Sequence, residues 1–87
     1  MNTESPLSFP CTFPIKVMGM NNASFENDIF MIAREHAPDI GEAAIRSRPS
    51  SSSKYISVTV TITAQNREQL DNLYRAFNSH PDVRMVL

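Results

Sequence analysis

Cysteine, glycine, a charge excess of either sign and long apolar runs are all scarce in this chain, and each shortage excludes something. The single cysteine, Cys11, rules out an intrachain disulfide. With His36 and His80 it completes the set of soft and imidazole ligands, and no two of the three have metal-site spacing. Met18 and Met20 could offer sulfur, but methionine at such positions is more often packing. No metal or cofactor is expected. With only Gly19 and Gly41, neither common phosphate-cradling loop can be built. There is no G-x-S-x-G turn, and the histidines stand far from the serines, so no nucleophile is paired with a base. The chain does not read as an enzyme.

A net charge of -1 gives no general attraction to nucleic acid or to anionic membranes, so an electrostatic partner must be met by a local patch. No stretch nears the roughly 18 apolar residues of a membrane span. The opening M-N-T-E-S-P-L-S has neither the basic nor the apolar region of a signal peptide. A reducing cytoplasm is the expected compartment. Hydrophobic residues at 41% and charged residues at 20% are ordinary for a folded chain, and 87 residues suffice for one small domain.

What the sequence does have is one long alternation. Residues 54–64 read K-Y-I-S-V-T-V-T-I-T-A, with Ile56, Val58, Val60, Ile62 and Ala64 on one side and Tyr55, Ser57, Thr59, Thr61 and Thr63 on the other. Period two with β-branched residues describes a strand dry on one face and wet on the other, central in an antiparallel sheet.

The other elements gather around it. Residues 1–10 read as a flexible tail, pinned by Leu7 and Phe9. A first strand spans residues 13–19, with Phe13, Ile15 and Val17 inward and Pro14 at its beginning or at a bulge. Gly19, Asn21 and Asn22 carry turn chemistry, glycine for its permitted backbone angles. Asn22 or Ser24 caps a helix whose stripe is Phe25, Ile29, Ile32, Ala33 and His36, ended by Pro38. His36, at that C-terminus, reads as a structural cap. Residues 43–48 form a shorter strand, and Ser50 to Ser53 a mobile, solvated hairpin loop. Asn66 and Gln69 fit a capping box ahead of the stripe Leu70, Leu73, Tyr74 and Phe77. Residues 82–87 give the last strand, with Val83, Met85 and Leu87 inward and Arg84 and Val86 outward. The fold class is α+β: a ferredoxin-like βαββαβ sandwich over residues 11–87, its four-stranded antiparallel sheet ordered 4-1-3-2 with both helices on one face. A register with an irregular second strand is the alternative.

Two places are candidates for function. The uncovered sheet face collects Lys16, Arg46, Arg48 and Arg84 among Tyr55, Ser57 and Thr59, while Glu26, Asp28, Glu35, Glu68 and Asp71 belong to the helices. Such a face suits an acidic protein partner or a second copy of the chain. RNA-binding domains use the same face, but they stack bases on aromatics, and here only Tyr55 is available, which argues against nucleic acid. The plainer reading is a solvated sheet. The second place is the first β–α turn, where Gly19, Asn21, Asn22 and Ser24 precede a helix N-terminus that could take a small anion; the plainer reading there is a turn and a cap.

These residues also carry a family resemblance. Phe9-Pro10, Lys16-Val17-Met18-Gly19, His36-Ala37-Pro38, Pro49-Ser50-Ser51, Tyr55-x-Ser57-Val58, Leu73-Tyr74 and Val83-Arg84-Met85-Val86-Leu87 together resemble the YbeD-like family of small bacterial proteins, from Phe9 onward. The resemblance implies a ferredoxin-like sandwich similar to ACT-type regulatory domains, and no catalytic residues. ACT domains often bind amino acids at the first β–α loop, between two copies, which would place a small-molecule sensor at residues 19–24.

Overall fold

In a computed structural model that describes residues 8–87, strands β1 (Cys11–Met20) and β3 (Tyr55–Ala64) pair antiparallel over ten unbroken positions, from Cys11 opposite Ala64 to Met20 opposite Tyr55. β2 (Ile45–Pro49) flanks β3 and β4 (Val83–Val86) flanks β1, giving the order β2-β3-β1-β4. This is the expected sheet, with β3 one of its two central strands. Leu7 and the rest of residues 1–7 lie outside the described residues, whereas Phe9 is half-buried against the core.

Alternation decides the layers. Ile15 and Val17 of β1 and Val58, Val60, Ile62 and Ala64 of β3 are buried on one face. Against them pack α1 (Phe25–His36), through Phe25, Ile29 and Ala33, and α2 (Arg67–Asn78), through Leu70, Leu73 and Phe77. Truncating Phe77, which is fully buried, to alanine would cost ~3–5 kcal/mol, a large share of a small domain's stability.

The helix ends follow local chemistry. Pro38 stops α1, and the Ala37 N–H closes it on the Ala33 carbonyl. Ser24 stands at its start without a side-chain cap; Asn22 Oδ1 instead accepts the Ser24 N–H at 3.2 Å. At α2, Asn66 Oδ1 accepts the Gln69 N–H at 2.8 Å as expected. The reciprocal arm departs from a capping box: Gln69 Oε1 accepts from the Gln65 N–H, and its Nε2 donates to the His36 carbonyl at 2.7 Å. Gln69 thereby fastens the start of one helix to the end of the other. Tyr74, beside the α2 stripe, has its hydroxyl pKa raised above the ordinary 10.0 by burial.

Four expectations are corrected. Residues 42–44 make a 3-10 turn, so β2 begins at Ile45 rather than at Ala43. Pro14 is the fourth residue of β1, opposite Thr61, and neither starts the strand nor forms a bulge. The N–H groups of Lys16 and Met20 point to the β4 side, bonding Leu87 and Asp82. By the same parity Pro14 nitrogen faces that side too, where no described residue pairs with β1 before Lys16, so no ladder bond is lost.

The third correction is in β4, where the register shifts: Met18 faces Met85 but Gly19 faces Val83, leaving Arg84 as the inserted residue. Inversion beyond it puts Val86 opposite buried Val17, packed on the core, and leaves Met85 and Leu87 49% and 61% exposed. An uninterrupted period of two cannot anticipate this. Fourth, Gly19 is needed for space rather than for a left-handed angle, since no glycine has positive φ. A Cβ there would overlap the Asp82 carbonyl oxygen and the Phe25 ring. Gly19→Ala should therefore destabilise the fold by about 1–3 kcal/mol, read as a lower urea midpoint with an unchanged slope.

Candidate functional site

The ladder that buries one face of the sheet lines up the other in rows. Arg46, Thr59 and Lys16 stand side by side across β2, β3 and β1, with Leu87 hydrogen-bonded to Lys16 beyond them. In the next row come Arg48, Ser57, Met18 and Met85. Tyr55 faces Met20 in the row after that. Neither helix covers this face. Tyr55, at 40% exposure, joins Met85 and Leu87 as a large apolar group open to solvent.

The charged side chains of the face are of one sign. No acidic residue lies on any strand; the described carboxylates are in the helices, the 3-10 turn and the connections. Among the described residues the one contact of salt-bridge length is that of His80 Nε2 with Asp28, so Lys16, Arg46 and Arg48 have no Asp or Glu carboxylate within salt-bridge distance there. Arg84, expected beside them, sits at the bulge, and its guanidinium donates to the Pro81 carbonyl at 3.0 Å. The face thus divides into a basic half towards β2 and an apolar half towards β4. The sequence pattern puts Val86 on this face; the bulge brings Met85 and Leu87 there in its place.

The first β–α turn is built differently. Asn21 donates its backbone N–H to the Lys54 carbonyl and its side-chain amide to the Ser53 carbonyl at 2.9 Å. Asn22 Nδ2 donates to Asp82 Oδ2 at 3.0 Å. The single proton of Ser24 Oγ has two acceptors in reach, Asn22 Oδ1 at 3.3 Å and Asp28 Oδ2 at 3.4 Å. Behind them His80 Nδ1 accepts the Asp82 N–H, so its ring proton belongs on Nε2, 3.0 Å from Asp28 Oδ2. The polar groups considered for ligand capture thus bind neighbouring connections, beside two carboxylates that repel an anion. Ser51 to Ser53 are exposed, but the loop is closed on itself: Ser50 N–H reaches the Tyr55 carbonyl, Ser50 Oγ accepts from Tyr55 N–H, and Ser53 holds a φ of 61°.

No metal site emerges from the described residues, in which no three His, Cys, Asp or Glu side chains gather, and no described helix is long and apolar enough to cross a membrane.

A family model described as "Protein of unknown function (DUF493)" matches residues 4–87. The chain belongs to this family. Its DUF493 relatives include the UPF0250 protein of Janthinobacterium sp. (strain Marseille), 51% identical over 85 residues that cover 98% of this chain and 93% of that one. The UPF0250 protein of Neisseria gonorrhoeae (strain ATCC 700825 / FA 1090) is 48% identical, covering 99% and 94%. That of Paraburkholderia phytofirmans is 43% identical, covering 97% and 94%. These are the YbeD-like small bacterial proteins to which the motifs pointed. The solution structure of protein HP0495 from H. pylori superposes with a TM-score of 0.67 at 15% identity, covering 97% of this chain and 88% of that one, a likeness of fold alone.

The bonding of the first β–α turn generates a test. Asn21→Ala removes the tie to Ser53, so amide hydrogen exchange should quicken in residues 50–55 while residues 58–62 of β3 keep their protection.

Proposed function

We propose that this DUF493 chain is a non-catalytic cytoplasmic module that docks an acidic partner protein, or a second copy of itself, through the basic half of its open sheet face. The observation that carries this reading is the row geometry: Lys16, Arg46 and Arg48 converge around Ser57 and Thr59 on a face whose described strands carry no acidic side chain. Strand backbones fix the spacing of these cations, and a run of basic side chains speeds encounter with a surface of the opposite sign. The depressions on the face are open to solvent rather than enclosed, which fits a macromolecule better than a small substrate.

Two other readings draw less support. A sensor for small anions at residues 19–24 would have to displace the Asn21 and Asn22 bonds and approach Asp28 and Asp82. An RNA-binding role would have Tyr55 as its aromatic platform, and Lys54 Nζ already stands 5.6 Å from the centre of that ring.

The test is affinity capture from the native cell extract with the wild-type chain and with the triple variant Lys16→Ser, Arg46→Ser, Arg48→Ser. All three residues are exposed, so the variant should keep its unfolding free energy, measured by urea denaturation, within about 0.5 kcal/mol. Capture of acidic proteins should be lost in the variant, and in the wild type should fade as salt is raised from about 0.1 M to about 0.5 M. Equal capture by both forms removes the docking surface.

A further inference from the structure

Resting on the docking reading, a second feature of the same face narrows the partner's chemistry. Two depressions there share a wall. One, of about 410 Å³, lies over Lys16, Arg46, Arg48 and Thr59. The other, of about 140 Å³, lies one row further along, with an almost wholly apolar lining from Met18, Pro49, Tyr55 and Ile56. Arg48 and Ser57 belong to both. Lys54, with its Nζ over the Tyr55 ring, adds another cation beside the apolar dimple.

The spacing is that of a strand. Arg46 and Arg48 are two residues apart on one face of β2, roughly 6–7 Å, the separation of alternate side chains in an extended peptide. The dimple continues the series, since Tyr55 is two residues from Ser57 on the same face of β3, in the row after that of Arg48, Ser57 and Met18.

We propose that the face takes an extended acidic peptide segment of a partner protein, with carboxylates at alternate positions over Lys16, Arg46 and Arg48 and an apolar side chain two positions further on seated in the dimple. The dimple has room for one side chain rather than for an acyl chain. Its lining surface is almost wholly apolar, which favours an apolar side chain over a phosphate or a sugar. Burying the anchor contributes through lost apolar surface, and the cations supply orientation and encounter rate.

Fluorescence anisotropy with labelled synthetic peptides tests this. The probe carries two glutamates at alternate positions and a phenylalanine two further on. The controls replace the phenylalanine with serine, replace the glutamates with glutamine, or substitute a single-stranded oligonucleotide. The wild type should bind the probe about tenfold more tightly than the serine peptide. Met18→Ser and, separately, Tyr55→Ser should each erase that preference while leaving the weaker binding of the serine peptide unchanged. The double variant Arg46→Ser, Arg48→Ser should weaken every acidic peptide.

Equal binding of the phenylalanine and serine peptides overturns the anchor proposal and leaves charge-based docking standing. Equal binding by wild type and the double variant overturns both. Absence of binding to any acidic peptide, or tighter binding of the oligonucleotide, overturns the peptide proposal.

Discussion

The ten-residue pairing of β1 with β3 is the constraint on which the rest depends. Because every position is matched without a break, the two strands share one alternation, and the sheet has one oily side and one open side along its full length. The oily side fixes where both helices lie, since nothing else can cover Ile15, Val17, Val58, Val60 and Ile62. The open side inherits whatever falls at the intervening positions. A one-residue slip would exchange the two sides, which the buried valines and isoleucines forbid. The cations of the candidate surface are therefore placed by hydrophobic burial on the other side of the same backbone.

Much of this was legible in the residues themselves. The alternation of β3, the stripe of α2 and the stop at Pro38 are local signals with local causes, and the sheet order follows from the element order and the handedness of crossovers. What escaped was non-local. The β4 bulge arises where Gly19 gives up its side chain to admit the Phe25 ring and the Asp82 carbonyl, a meeting of three distant segments. No window of sequence shows it. Gln69 likewise looked like half of a capping box, and its second bond to His36 depends on where another helix ends.

The candidate site was partly legible for the same reason. Lys16, Arg46 and Arg48 sit on strands whose parity the core enforces, so reading the core placed them. Arg84 lies where parity breaks, and its guanidinium turns to the Pro81 carbonyl instead. The two asparagines of the first turn were seen as available polar groups; in the folded chain their amides serve as ties between connections. A polar side chain in a turn has two possible customers, a ligand or a neighbouring loop, and sequence does not say which has arrived first.

Those ties divide the molecule's two ends. At one end the β1–α1, β2–β3 and α2–β4 connections are laced together through Asn21, Asn22, Asp82, Asp28 and His80. At the other, the link around Gly41 has open space about it, with nothing within 4 Å of where a side chain would begin. A side chain at residue 41 is thus met by open space, so a reporter group attached through that position stands away from the turns that hold the other rim of the sheet in shape.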